Sequence, residues 1–349
     1  MSSLDGTVLV TGGAGYIGSH TVRALREAGR DVVVYDSLEL GRREAVIDAP
    51  LVIGNIADSD LVTATCNEHG VTQLVHFAAY KAVGESMKSP AKYWRNNVAG
   101  SVELYEACLA AGVHDVVFSS SCSVNGTPAA VPVSEDAPIH PESVYAESKA
   151  MVERILSCYK ITHGLNSVSL RYFNAAGASF DGRIGEDWAY SQNLVPLAMK
   201  ALLLGNPRLT VFGNDYDTPD GTCIRDYIHV DDLADAHVKA LAYLGGGGDT
   251  TAVNVGTGVG SSVLDVLNAT ADVAGKPVPY DVAPRRAGDP VSTYSDPTFA
   301  QTALGWRAQY GLKEIINSAY TWHRSQMESD ARSTPQDRPH PVWPTDAAR

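Results

Sequence analysis

Tyr145 and Lys149, in the run Tyr145-Ala146-Glu147-Ser148-Lys149, are the pair in this chain best suited to moving a proton. On a helix, residues four apart share one face, so the ammonium stands beside the phenol. A phenol ordinarily titrates near ~10. A neighbouring positive charge favours the phenolate and brings it toward the range of a general base. Upstream lies Ser119-Ser120-Ser121-Cys122-Ser123. Serines at the C-terminal end of a parallel strand project into the crevice where ligands bind. One of them is therefore suited to hold a substrate hydroxyl against the tyrosine, and residue chemistry alone leaves open which.

A third constellation, Gly12-Gly13-Ala14-Gly15-Tyr16-Ile17-Gly18, follows the apolar run Val8-Leu9-Val10. Gly12 permits a tight turn, Gly15 lets backbone approach a pyrophosphate, and Gly18 lets a helix pack closely with its N-terminus toward the phosphates. Asp36 ends the next apolar run, 18 residues after Gly18. A carboxylate there accepts hydrogen bonds from a ribose and repels a 2′-phosphate, which favours NAD over NADP.

The elements that must carry these residues follow from the hydrophobic pattern. Nearly all-apolar runs at Thr7–Thr11, Asp31–Tyr35, Gln73–Phe77, Asp115–Ser119 and Ser167–Tyr172 read as strands covered on both faces. Amphipathic stretches at Tyr16–Ala28, Asp58–His69, Tyr93–Ala111 and Tyr145–Thr162 read as the helices between them, with Gly29, Gly70 and Gly112 as terminators. This alternation predicts an α/β fold, a doubly wound parallel sheet (Rossmann) forming an NAD-binding domain over residues 1–174. Past Asn174 the rhythm breaks. Helices near Asn193–Leu204, Asp231–Leu244, Val263–Ala274 and Leu312–Met327 alternate with short strands, Gly245–Gly248 reads as a loop, and residues 175–328 read as a smaller mixed α/β substrate domain. The proline-rich segment 329–349 carries no apolar periodicity and reads as a tail.

With 349 residues, 44% hydrophobic and 19% charged, the composition is that of an ordinary globular protein. A net charge of −13 argues against nucleic-acid and anionic-membrane partners. No apolar run approaches the ~18 residues of a membrane span. The N-terminus, with Asp5 and a three-residue apolar run, does not read as a secretory signal. Five scattered cysteines offer no metal-ligand spacing and suit reduced thiols in a cytoplasmic protein. Neither a G-x-S-x-G elbow nor a P-loop occurs.

The glycine loop, Ser119–Ser121 and Tyr145/Lys149 resemble the extended short-chain dehydrogenase/reductase family, and within it the enzymes that epimerise C4 of UDP-sugars. Further stretches carry the resemblance across roughly residues 7 to 325: His76-Phe77-Ala78-Ala79-Tyr80-Lys81-Ala82-Val83-Gly84-Glu85-Ser86, Leu170-Arg171-Tyr172-Phe173-Asn174, Phe212-Gly213-Asn214-Asp215-Tyr216, Arg225-Asp226-Tyr227-Ile228-His229-Val230-Asp231-Asp232-Leu233-Ala234, and Ala283-Pro284-Arg285-Arg286-Ala287-Gly288-Asp289. The resemblance implies reversible epimerisation of a UDP-hexose by transient hydride transfer to bound NAD through a 4-keto sugar. It implies Tyr145 as proton acceptor and donor, Lys149 as holder of the nicotinamide ribose that also lowers the Tyr145 pKa, and Ser121 as orienter of the sugar. By the same resemblance Gly12, Gly15, Tyr16, Ile17, Gly18, Asp36, Asn55, Ile56, Phe77, Ala78, Lys81 and Asn96 contact NAD, and Tyr172 lies against the nicotinamide. Asn174, Asn193, Leu194, Phe212, Arg225, Arg286 and Asp289 hold the UDP moiety. It also implies returns of the chain to the nucleotide domain near residues 225–244 and 253–256, and a homodimer formed through the helices near Tyr93–Ala111 and Tyr145–Thr162.

Three positions depart from the family pattern. Asn125 in Val124-Asn125-Gly126 replaces a tyrosine, and Asn55 in Gly54-Asn55-Ile56 replaces an aspartate. Thr293 stands where several relatives have a bulky tyrosine beside the sugar, a difference associated with acceptance of N-acetylated sugars, with Tyr294 next to it. The alternatives are a 4-epimerase of a pentose or hexuronate nucleotide, a 4,6-dehydratase, and a non-catalytic NAD-sensing regulator. A dehydratase needs an extra acid/base at the serine-bearing strand end, where this chain has Cys122-Ser123. A sensor typically loses the tyrosine or the lysine, and both are present here.

Overall fold

The computed structural model describes residues 6–189, 191–286 and 288–330. Its main sheet contains β1 (Thr7–Thr11), β2 (Val32–Asp36), β3 (Leu51–Ile53), β4 (Val71–His76), β5 (Asp115–Ser119) and β6 (Asn166–Tyr172). The smaller sheets use β7 (Asn174–Ala176), β8 (Leu209–Phe212), β9 (Ile224–His229), β11 (Gly260–Ser262), β12 (Tyr280–Ala283) and β13 (Ser292–Thr293), while β10 (Thr251–Val255) rejoins the main one. The helices are α1 (Tyr16–Glu27), α2 (Ser59–His69), α3 (Val83–Lys88), α4 (Pro90–Tyr93), α5 (Gly100–Ala110), α6 (Val144–His163), α7 (Leu194–Leu204), α8 (Val230–Gly245), α9 (Val263–Ala274), α10 (Thr298–Leu304) and α11 (Leu312–Asp330).

The seven-stranded sheet has the order β10-β6-β5-β4-β1-β2-β3 and is parallel throughout. Because side chains alternate along a strand, Val8, Val10, Val34 and Val117 feed one buried cluster with Leu233, Leu241 and Trp306. Leu9, Val33, Leu74 and Val116 feed the other with Leu104, Tyr105 and Leu156. Both faces are covered, which is why these strands read as continuous apolar runs. The strand order reverses between β1 and β4, and a doubly wound sheet opens its ligand crevice at such a switch point. The fold is the expected Rossmann-like one.

Glycines 29, 70 and 112 all have positive φ at the helix ends, as expected. The stretch Tyr93–Ala111 is not one regular helix: α4 runs into a π-turn at Trp94–Ala99 before α5 begins. That turn turns Asn97 inward, where its side chain hydrogen-bonds both backbone groups of Tyr80 and the Ser148 hydroxyl.

The second half contributes to both parts of the molecule. Helix α8 packs along α1, and β10 extends the main sheet beside β6. Helix α10 and Trp306, within the range expected for the substrate side, join the cluster under the main sheet. Strands β7, β11 and β13 gather around β9, while β8 pairs with β12. Helices α7, α9 and α11 pack around two further clusters. Helix α11 runs to Asp330, past the expected start of the tail, and residues 331–349, like Asp5, lie outside the described residues.

Candidate active site

At the switch point, Gly12 has φ +72°, and a Cβ there would stand 2.7 Å from the Ala78 amide nitrogen. A side chain would thus wedge apart the loops that follow β1 and β4. A Cβ on Gly18 would fall 2.2 Å from the Gly12 carbonyl oxygen, so the close approach is of α1 to the glycine loop itself. Gly15 caps α1, and a Cβ on it would meet only that same carbonyl, at 3.2 Å. The result is a cradle of bare backbone at a helix N-terminus, where first-turn amides such as those of Tyr16 and Ile17 lack intrahelical acceptors. The Tyr16 hydroxyl is already committed, donating to the Gly177 carbonyl at 2.8 Å.

Asp36 is buried at the end of β2. Its carboxylate accepts from the Ala14 amide at 3.0 Å and the Leu38 amide at 2.8 Å. Burial raises its pKa, and the two amides oppose the rise. Each oxygen retains a lone pair, which suits a ribose diol. Asn55 is exposed and its side-chain oxygen accepts from the Ala57 amide. Ile56 is buried in the second cluster, and Phe77 rests against His237 with ring centroids 4.6 Å apart. Asn96 lies in the π-turn and donates to Asn97. Lys81 reaches across to Glu186 at 3.2 Å. The donors and the bare cradle fit a dinucleotide.

The proton-moving groups lie beyond the C-terminal end of β5. Ser143 caps α6 by accepting from the Ala146 amide, and the Ser86 hydroxyl accepts from the Tyr145 amide at 3.1 Å. Tyr145 is 9% exposed, with Ser121 near its phenol. The Lys149 ammonium donates to the Ser119 carbonyl at 2.7 Å and stands 5.9 Å from the Tyr145 ring centroid. The hydroxyls of Ser119 and Tyr172 are 2.6 Å apart. Ser121 accepts from the Ser123 amide and hydroxyl, while Ser120 is turned away to Glu153. The structure thus brings Tyr145, Lys149, Ser121 and Tyr172 together.

The electrostatics differ from the sequence expectation. Burial pushes the Tyr145 phenol up, Tyr172 adds to the rise, and the neighbouring Ser121 hydroxyl opposes it. Lys149 itself is pushed down to about 7 by burial, partly offset by Glu153. Desolvation outweighs the pair interaction because both groups lie in the interior. Nearby His76 sits between the Thr11 and Ser101 hydroxyls, and burial followed by Lys149 drives it down to about 3, so it is neutral.

The substrate candidates gather at the rim. Asp289 lies 2.9 Å from the Arg286 Nε and 4.0 Å from an Arg225 nitrogen, and the Arg286 guanidinium covers Phe212 at 4.7 Å. Thr293 pairs in register with Arg225 and is buried, its hydroxyl without a hydrogen-bond partner among the described residues. The Tyr294 ring edge faces Gly260. Asn174 donates to the Asp226 carbonyl, and Asn193 precedes Leu194 at the start of α7 while donating to Glu186. The Asn125 amide donates to the Ala137 and Pro138 carbonyls, tying down its own loop.

Three carboxylates escaped the sequence reading. Glu153 forms a buried 2.6 Å ion pair with Arg171. Asp226 accepts from the backbone or hydroxyls of Thr257, Gly258 and Ser295. Glu186 joins Lys81 to Asn193. Asp226 lies within a resemblance stretch that gave it no role, and the key partners of all three (Arg171, Lys81, Thr257, Ser295) come from other elements.

Residues 8–256 match the profile of the NAD dependent epimerase/dehydratase family, and the chain belongs to that family. A UDP-glucose 4-epimerase of Azospirillum brasilense is 48% identical over 324 residues, which cover 92% of this chain and 93% of that protein. Among solved structures, a UDP-glucose 4-epimerase from Stenotrophomonas maltophila with bound NAD and formylated UDP-arabinopyranose superposes with a TM-score of 0.91 at 38% identity, covering 93% of this chain and 99% of that one. The UDP-glucose 4-epimerase of Brucella ovis in complex with NAD gives 0.89 at 44% identity, covering 90% and 97%.

Proposed function

We propose that this chain interconverts UDP-galactose and UDP-glucose by reversible epimerisation at C4, using bound NAD. The observation that carries the reading is the buried Tyr145–Ser121–Lys149 group beside a glycine cradle, with an arginine-bearing rim on the same site. Relatives and solved neighbours named for this activity support it.

Tyr145 takes the proton of the sugar 4-hydroxyl, which Ser121 holds in line. NAD, when bound, supplies the acceptor that takes a hydride from C4 and gives it back, and its positive charge favours the phenolate. Lys149 holds the nicotinamide ribose, and its ammonium stabilises the same phenolate. The 4-keto sugar turns over while Arg225, Arg286 and Phe212 keep the nucleotide anchored, arginine forks being matched to a pyrophosphate. Tyr145 then returns its proton to the oxygen of the opposite epimer. The reaction is redox-neutral and needs no external electron donor.

Elimination chemistry is disfavoured because Cys122 and Ser123 stand where a dehydratase has its acid/base, neither of them carrying a carboxylate. Burial, followed by Asp226, pushes the Cys122 thiol up to about 12, out of the range of a useful acid or base. Small Thr293 at the sugar side supports acceptance of UDP-N-acetylglucosamine as well. Exposed Met151 and Ile161 on α6 support a homodimer through α5 and α6, which sedimentation of the purified chain checks by mass. No described helix is long and apolar enough to cross a membrane, and the free cysteines suit the cytoplasm.

The direct test is proton NMR of purified protein with UDP-galactose and no added cofactor. The anomeric signal of UDP-glucose should grow to equilibrium. Silence that persists after NAD is supplied would reject the reading.

A further inference from the structure

Residues 177–189 cross from the small sheets to the dinucleotide side, where three bridges from different elements tie them down. Arg23 of α1 reaches Asp181 at 2.9 Å, Arg42 beyond β2 reaches Asp187 at 3.4 Å, and Lys81 beyond β4 reaches Glu186 at 3.2 Å. The first two pairs lie near the surface. Glu186 differs, being only 4% exposed.

Its Oε1 atom accepts three hydrogen bonds: from Lys81 Nζ, from the Ser191 hydroxyl at 2.8 Å, and from Asn193 Nδ2 at 2.9 Å. Its backbone is pinned independently, because Trp322 Nε1 donates to the Glu186 carbonyl at 2.9 Å. A Cβ on Gly185 would meet the Trp322 ring at 2.6 Å, so this stretch of backbone lies against α11. A buried carboxylate is costly unless its environment uses the charge. Its ion-pair partner among the described residues, Lys81, has a 57% exposed side chain within reach of an anionic ligand.

We infer that Glu186 is a positioning residue that couples the two halves of the site, because one carboxylate oxygen holds Lys81 on the dinucleotide side and Asn193 on the nucleotide-sugar side. This rests on the assignment of Lys81 to NAD and Asn193 to the UDP moiety proposed above. When UDP orders Asn193, the carboxylate and Lys81 are fixed with it, and departure of the dinucleotide slows. To the extent that UDP raises the equilibrium affinity for the dinucleotide, linkage requires bound dinucleotide to raise that for UDP by the same factor. Such coupling suits an enzyme whose cofactor is regenerated in every turnover and has no need to leave.

The experiment uses purified holoenzyme and measures NAD appearing in ultrafiltrates after dilution, with and without saturating UDP. UDP should slow release from the unaltered chain by about fivefold or more, the usual scale of such coupling. In Glu186→Gln, which removes the charge, the UDP effect should vanish. In Lys81→Met, altered at a largely exposed side chain that does not threaten folding, it should vanish too. Unfolding temperatures without ligand should stay close to that of the unaltered chain, whereas a purely structural role for Glu186 would lower the Glu186→Gln value and leave the UDP effect intact. If UDP still protects NAD in either variant, the coupling is overturned while the functional reading stands. If the unaltered chain binds no NAD even when NAD is supplied, the functional reading falls and takes the coupling with it.

Discussion

Tyr145, Lys149 and Ser119–Ser121 stand in the interior, each held by backbone groups or hydroxyls. At the rim, Arg286 has a 60% exposed side chain, and its partners are other ligand-binding candidates, Asp289 and Phe212. One region is fixed before any substrate arrives; the other holds its charges together until a pyrophosphate competes for them. Chemistry that depends on fractions of an ångström belongs on rigid, desolvated elements. Anchoring tolerates adjustment, so its residues can occupy loops.

This contrast is open to direct tests. Tyr145→Phe should lower kcat about 10²–10⁴-fold, the usual worth of a general acid–base group, with UDP affinity unchanged. A matching loss of UDP binding, read by calorimetry, would erase the division between floor and rim. At the rim, the side chain of Arg225 is mostly buried and that of Arg286 mostly exposed. Arg225→Ala should raise KM for the UDP-sugar about 10–100-fold, and Arg286→Ala only about two- to fivefold. Equal losses would mean that exposure does not grade the rim. Thr293→Tyr should cut activity on UDP-N-acetylglucosamine relative to UDP-galactose by about tenfold, the scale of steric discrimination in a pocket. An unchanged ratio would remove Thr293 from the sugar side.

The smallest effect concerns stability. Burial holds Lys149 at about 7, below its ordinary 10.5. Between those values the unfolded chain binds a proton that the folded chain does not, so stability rises with pH through that window. Below about pH 7 the folded chain carries the full burden of a buried ammonium. Lys149→Met should therefore gain most over the unaltered chain below pH 7 and progressively less toward pH 10. Urea midpoints of the nucleotide-free proteins at pH 6.5 and 9.5 check the trend.

The same contrast governs what could be read from residue order. Strands β1 and β5 and helix α9 lie where their apolar pattern predicted, residue for residue. Both-face burial writes a strong local signal. Strand β3, with Leu51 and Val52 half-buried, and the two-residue β13 bury too little to leave one. The interruption at Trp94–Ala99 was equally hidden, since it serves Asn97 and partners in other elements. Within the site, Tyr145 and Lys149 were legible because one helix sets their spacing. The direction of the Tyr145 pKa was not, because it follows from burial, a property of the assembled interior. Glu153, Glu186 and Asp226 acquire meaning from partners on other elements, Arg171, Lys81 and Ser295.

The edge position of β10 bears on how the molecule comes into being. Strand β6 is complete at residue 172, yet its neighbour β10 is synthesised only at 251–255, and fully buried Trp306 later still. At ribosomal rates of about 5–20 residues per second, β6 waits roughly 4–17 s for β10. During that interval Val168 and Leu170 lack the β10 and Trp306 side chains of their cluster, and the β6 edge is unpaired. A nascent chain halted near residue 175 therefore presents a sticky half-sheet and calls for chaperone cover until its last third arrives.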